Sequence, residues 1–218
     1  MSPPINVAFW TTFYETAEDP DRTYHDVLAG TDDVVERAAQ LWDWKDLSRG
    51  VDFSGVRPVL ESGVLEPLLE EEPADAVETL GSELVDAGAL SNATVVTPAF
   101  LLHLAASDPD AYSASFPLFD VRVWTAFVFL TGRRSGTDTL PVGATTSATK
   151  FGEYVAFFER TLPDGMAGRR YERALFRFGS YISGLPEEQV GEIAAHLDDL
   201  EGAIDGYARD TDRYLTSH

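Results

Sequence analysis

The segment that most constrains the fold is residues 115–134, SFPLFDVRVWTAFVFLTGRR, in which a Pro-containing approach ends in Asp120 and an almost wholly apolar helix follows, closed by Gly132. Val121, Trp124, Phe127, Val128 and Thr131 fall at helical spacings, while Val123, Phe129 and Leu130 occupy the opposite side. A helix apolar nearly all round belongs in an interior, so the rest of the chain must wrap it. Asp120 then stands at the mouth of a buried helix, where its carboxylate can accept the first unpaired amide hydrogens. Gly132 suits the left-handed residue that stops a helix, and Arg133 and Arg134 leave it as a cationic pair. The central question is whether Asp120 is only a cap or also a reagent.

Helical periodicity recurs on both sides of this segment. Thr31-Asp32-Asp33 opens a helix with Val34, Val35, Ala38, Leu41 and Trp42 on one face, expected to end near Leu47. Short helices are expected around Val56–Leu60 and Val64–Glu70, and a longer one over Ala74–Ala87 with Gly88 as its stop. An apolar helix follows from Pro98, well placed in a first turn, to Ala106. After a Gly/Ser/Thr loop, Thr146 or Ser147 caps a helix carrying Phe151, Tyr154, Val155 and Phe158. The next helix, Gly168–Ile182, turns Tyr171, Leu175, Phe178 and Ile182 inward, and acidic helices are expected after residue 186. Residues 1–30 read as aromatic and irregular, with a short helix over 5–16. The one β-branched run, Thr94–Thr97, has no evident partner strand. The expectation is an all-α fold of 218 residues: two packed helical subdomains with a cleft, residues 74–165 forming one and 1–73 with 166–218 the other.

The chain has no cysteine, which removes disulfides, thiolate metal sites and cysteine nucleophiles together. No apolar run is long enough to span a bilayer and the first residues lack the pattern of a signal peptide, so a cytoplasmic location is expected. His25, His103, His196 and His218 show no ligand spacing, and the Glu70–Glu72 run reads as solvated surface, so neither metal nor cofactor is expected. His103, inside an apolar helix, reads as a hydrogen-bonded core residue. No phosphate loop, dinucleotide turn, nucleophile elbow or zinc helix motif is present.

Charge is distributed unevenly. The net charge is −21, and only Lys45 and Lys150 among 16 bases are lysine. Such a composition resembles that of proteins from salt-accumulating halophilic archaea, where carboxylates hold water and salt screens their repulsion. Yet Arg122–Arg177 holds nine bases against five acids, a balance of +4 within the total of −21, which leaves −25 for the remainder. Arg133, Arg134, Arg169, Arg170 and Arg173 are therefore candidate phosphate contacts, since the guanidinium fork matches phosphate oxygens. The competing reading pairs these arginines with the acidic half of the chain.

Residues 95–127, VVTPAFLLHLAASDPDAYSASFPLFDVRVWTAF, resemble the core of helix-hairpin-helix DNA glycosylases, especially the 8-oxoguanine glycosylase branch. In that family a hairpin precedes an apolar helix, a loop ends in a proline and an aspartate, and a further helix begins. Phe116–Trp124 stands in that place, and Arg169–Gly184 resembles the helix that closes the domain in those proteins. The resemblance implies double-stranded DNA as partner, a base flipped between helical subdomains, and Asp120 as the carboxylate that stabilises the cationic sugar. Two features depart from the pattern. The Gly-x-Gly of the hairpin is replaced by Asn92–Thr97, and Pro98 or Ala99 stands where members with lyase activity carry lysine. The resemblance therefore implies a monofunctional glycosylase without a lysine-dependent lyase step. The alternative is a non-catalytic scaffold or interaction module on the same fold. Trp124 reads as core rather than as a base-stacking residue.

Overall fold

The computed structural model describes residues 3–15, 20–48, 50–132, 147–186 and 188–193. The described residues form helices joined by turns and loops, with no strand among them, as the periodicity predicts. In chain order the helices are α1 (Val7–Glu15), α2 (Pro20–Gly30), α3 (Val34–Leu41), α4 (Phe53–Glu61) and α5 (Leu65–Leu68). They continue as α6 (Pro73–Asp86), α7 (Val96–Ala106), α8 (Val121–Leu130), α9 (Ala148–Thr161) and α10 (Gly168–Ser183). None is long and apolar enough to cross a membrane.

Local chemistry sets most boundaries where the sequence places them. Asp33 caps α3 by accepting from the amides of Val35 at 2.8 Å and Glu36 at 3.4 Å. Asp52 caps α4 through the Ser54 amide at 3.0 Å, and this hydrogen bond lowers its pKa from the usual carboxylate value. Gly88 and Gly132 adopt the positive φ that ends α6 and α8.

Two boundaries differ from expectation. Residues 20–30 form a helix, α2, whose start at Pro20 exploits proline's fixed φ. Helix α3 stops at Leu41, well before Leu47. Its end is a five-residue turn in which the Leu47 amide returns to the Trp42 carbonyl at 3.1 Å, with Asp46 at φ 62°. The Trp42 indole fixes this turn by donating to the Val51 carbonyl at 2.9 Å. Tertiary pairing here overrides the helical pattern, and it moves Lys45 off the helix surface.

One cluster of buried side chains reaches all ten helices. Helix α8 is its centre, with Val123 to Phe129 buried without interruption. Helix α10 packs along α8 and, on its other flank, along α1. Arg37, buried on α3, binds four backbone carbonyls: Thr31 at 2.7 Å, Leu104 at 3.0 Å, Ser107 at 2.8 Å and Leu28 at 3.2 Å. It thereby joins the ends of α2 and α7, supplying donors to terminal carbonyls that no helical amide reaches.

Candidate functional site

Asp120 is held by a loop whose backbone is satisfied by its own side chains. Asp108 accepts from the amides of Asp110 at 2.8 Å and Ala111 at 2.6 Å. The Ser107 hydroxyl accepts from the Ser113 amide, Ser113 from the Phe116 amide, and the Tyr112 hydroxyl from the Leu118 amide. His103 of α7 fastens the loop to the core, its Nδ1 lying 2.7 Å from the Phe116 carbonyl. Phe116 to Phe119 are buried, so the loop delivers Asp120 to α8 along a fixed path.

The two oxygens of Asp120 have separate tasks. Oδ1 caps α8, accepting from the amides of Arg122 at 2.8 Å and Val123 at 3.1 Å. Oδ2 lies 3.5 Å from Nζ of Lys45, with side-chain exposures of 17% and 10%. A pair this shielded is screened far less than one on the surface. Asp120 is therefore both a cap, through Oδ1, and half of an ion pair, through Oδ2. Sequence reasoning missed Lys45, which is distant from Asp120 along the chain and sits in a stretch expected to be helix. The available signal was the lysine itself, one of only two in the chain, beside Trp42 and Trp44.

Behind this pair lies a buried polar network. The Phe116 carbonyl can only accept, so His103 carries its proton on Nδ1 and accepts at Nε2 from the Tyr24 hydroxyl, 2.6 Å away. Burial, followed by the Arg169 and Lys45 charges, holds the His103 pKa down at about 3 against the favourable bond to Phe116, so the ring is neutral. Arg169 stacks over Tyr24 at 4.8 Å and over Trp44 at 5.7 Å and pairs with the buried carboxylate of Glu172. Trp44, next to Lys45 in the turn, stacks on Tyr24 at 5.4 Å. The ring stack fixes the turn that presents Lys45.

On the other flank of Asp120, Tyr154 of α9 is fully buried and its hydroxyl has no hydrogen-bond partner. Burial, with the nearby charges of Glu172, Tyr171 and Asp120, pushes its pKa well above the usual phenol value, so it is a donor at any physiological pH. Trp124, one turn into α8, is 2% exposed, and its indole N–H is likewise without a partner. It is core, as its spacing predicts, yet Nζ of Lys150 lies over its ring, 5.6 Å from the centroid.

The candidate phosphate contacts scatter. Arg133 and Arg134 lie outside the described residues. Arg170 is exposed on the first turn of α10, Arg173 is half-buried, and Arg169 faces inward to Glu172 and the two rings. The hairpin region is apolar at its end: Val95, Thr97 and Pro98 are buried at the start of α7. No group of three or more metal-ligating side chains forms among the described residues. Comparisons with protein-family models, curated proteins and solved structures gave no match.

Proposed function

We propose that this protein binds double-stranded DNA and releases a base from it as a glycosylase-like enzyme, with Asp120 as the key carboxylate. The observation that supports this most is the Lys45–Asp120 pair: a largely shielded carboxylate and an amine held 3.5 Å apart at the start of a buried helix. In this reading two helical subdomains present Asp120 to a cleft that receives the flipped base. The bond between C1′ and the base nitrogen breaks and its electron pair leaves with the base, which takes up a proton. The positive charge left on C1′ and the ring oxygen is stabilised by the Asp120 carboxylate until water adds and loses its proton. Arg170 and Arg173, with Arg133 and Arg134, supply phosphate contacts, while Arg169 orders the turn that carries Lys45.

The sequence alone argued against a lysine-dependent lyase step, because no lysine follows the hairpin. Lys45 supplies an amine beside Asp120 from elsewhere in the chain, so the monofunctional reading needs its own test. Duplexes carrying oxidised, deaminated or alkylated bases are incubated with protein over a range of salt concentrations, with and without borohydride. Base release that Asp120→Asn abolishes without loss of fold supports the proposal, since asparagine still caps a helix. A borohydride-trapped complex lost in Lys45→Met adds the lyase step, and its absence leaves hydrolysis alone. Failure to bind any duplex at any salt concentration overturns the proposal. It then favours the scaffold reading, for which the inward engagement of Arg169 is the supporting observation.

A further inference from the structure

Lys45 and Asp120 each follow an aromatic residue, Trp44 and Phe119, and side chains of α2, α7, α9 and the loop after α7 join those two rings the long way round. Between ring centres, Trp44 lies 5.4 Å from Tyr24, whose hydroxyl bonds His103, and His103 lies 4.8 Å from Tyr112. Tyr112 then lies 6.0 Å from Phe158, Phe158 lies 6.0 Å from Tyr154, and Tyr154 lies 5.4 Å from Phe119. The Lys45–Asp120 pair closes this circuit of rings. Arg169 lies against it, over Tyr24 and Trp44, and pairs with Glu172. Each of the two cations thus has a carboxylate, and His103 is neutral. Exposure falls across the circuit: the Asp120 side chain keeps 17%, whereas Phe119, Tyr154 and Phe158 are buried. The ion pair therefore stands on the solvent side and Tyr154 on the inner side, joined through Phe119.

The neighbouring tyrosines have partners. Tyr24 bonds His103, Tyr112 accepts from the Leu118 amide at 2.8 Å, and Tyr171, 5.3 Å from Phe158, donates to Thr161 at 2.8 Å. Tyr154 is the exception, fully buried and with no partner for its hydroxyl among the described residues. Burial first, then the charges of Glu172, Tyr171 and Asp120, hold its pKa well above the usual phenol value. Its oxygen therefore lies within the field of both carboxylates and keeps its proton. An unpaired buried donor is a cost that packing does not offset, and two shielded ion pairs in one place add little net stability. Polar groups gathered in this way among aromatic walls are what a ligand site needs.

We propose that the Tyr154 hydroxyl is the recognition donor for an uncharged planar heterocycle bound against Asp120, and that it selects a ring carrying a carbonyl oxygen. The aromatic walls suit a flat ring, and the paired charges leave none over for an ionic ligand to balance. A carbonyl oxygen accepts from the phenol, whereas an amino group at the same position brings a second donor against it. The inference rests on the proposed function and deepens it: the flipped base is an oxo base, such as uracil or hypoxanthine, and not its amino counterpart. Tyr154 keeps its proton throughout, holding the base by a hydrogen bond while Asp120 faces the sugar.

Calorimetric titration of the full chain at fixed salt with free uracil and hypoxanthine, and with their amino counterparts cytosine and adenine, tests the assignment. At least one oxo base should bind saturably and at least tenfold more tightly than its amino counterpart. Tyr154→Phe, which keeps the ring, should weaken that binding at least tenfold. It should melt no lower than wild type, because the hydroxyl it removes has no partner. A hydroxyl that serves only the fold gives the opposite, a lower melting temperature with unchanged binding. Failure of both oxo bases to bind, equal binding within each pair, or Tyr154→Phe binding as tightly as wild type overturns the proposal. Free bases need no strand, so the two readings fail separately. Oxo-base binding that Tyr154→Phe loses, without release of any base from duplex, leaves this site standing and sinks the glycosylase reading. Base release with the same rate and base preference in Tyr154→Phe as in wild type does the reverse.

Discussion

Gly179 of α10 lies directly on the Arg122 carbonyl of α8. A Cβ built at Gly179 would come 1.9 Å from that oxygen, 2.7 Å from its carbon and 3.2 Å from the Ala126 amide nitrogen. All three atoms are backbone, so no rotamer change can relieve the overlap, and the two helices must separate. Because Arg122 lies two residues from Asp120, the separation also displaces the N-terminus of α8. Gly179→Ala is expected to destabilise the protein by about 3 kcal/mol, at the upper end of overpacking effects. Thermal unfolding checks this, with Gly152→Ala as the comparison. That Cβ would meet only the Ala74 methyl, at 3.1 Å, and should cost clearly less.

Arg37→Lys should be nearly as damaging as a core truncation. The guanidinium serves four carbonyls from a side chain only 4% exposed, and the single nitrogen of a lysine ammonium, with three donors, cannot reach them all. Leaving two or more buried carbonyls unmet predicts a loss of about 3 kcal/mol in denaturant unfolding. Arg37 also approaches Asp32 at 3.4 Å, but that carboxylate is fully exposed. Asp32→Asn is therefore expected to leave stability essentially unchanged. If Asp32→Asn proves as costly as Arg37→Lys, the ion pair and not the carbonyl set holds these helix ends together.

How much of this was legible in the sequence depends on distance along the chain. Asp120 and Gly132 bracket α8 by local rules, a carboxylate before the first free amides and a glycine at positive φ after the last turn. Those rules need only neighbouring residues, and they held. Lys45 needed more. Its helical register continued past Leu41, and the Trp42 indole bond to Val51 and the tilted packing of Trp44 on Tyr24 hold the chain in the turn instead. The surroundings of Arg169 were hidden for the same reason: a charge count sees a base, not the Glu172 carboxylate and the two rings that engage it. The orphaned donors of Trp124 and Tyr154 are equally silent in sequence, since both residues sit on faces that read as plain core.

His103 predicts a pH dependence of stability. Its pKa falls from 6.5 to about 3 on folding, so between those values the unfolded state binds a proton that the folded state does not. Stability is thus complete above pH 6.5 and is lost as pH falls, by up to about 1.4 kcal/mol per pH unit for one proton. His103→Gln keeps a neutral polar side chain and removes that titration. The stability advantage of wild type over the variant should therefore shrink by roughly 2 kcal/mol between about pH 7.5 and pH 5. Urea unfolding of both proteins at fixed salt measures it, and the difference cancels the titration of the carboxylates common to both. A constant difference across this range would mean that His103 takes up its proton equally in the folded and unfolded states.

The strength of the Lys45–Asp120 pair is measured by a double-mutant cycle with Lys45→Met and Asp120→Asn. The single variants are unequal in what they leave behind. Asparagine keeps the cap on Arg122 and Val123 but leaves a lysine 10% exposed without its carboxylate. Methionine removes the cation and leaves Asp120 still supported by two amide donors. The first should therefore cost more than the second. Exposures of 10% and 17% set the pair between a surface bridge and a sealed one, which predicts a coupling of about 1–2 kcal/mol. Salt separates this pair from its surface counterparts. Arg22–Asp26, with exposures of 78% and 67%, should show a coupling near zero in concentrated potassium chloride. The Lys45–Asp120 coupling should keep more than half its value there, because solvent ions cannot enter between the two groups. A coupling that vanishes with salt would mean that the pair opens to solvent, and a carboxylate wetted in that way would lose the low-dielectric setting that the proposed chemistry needs.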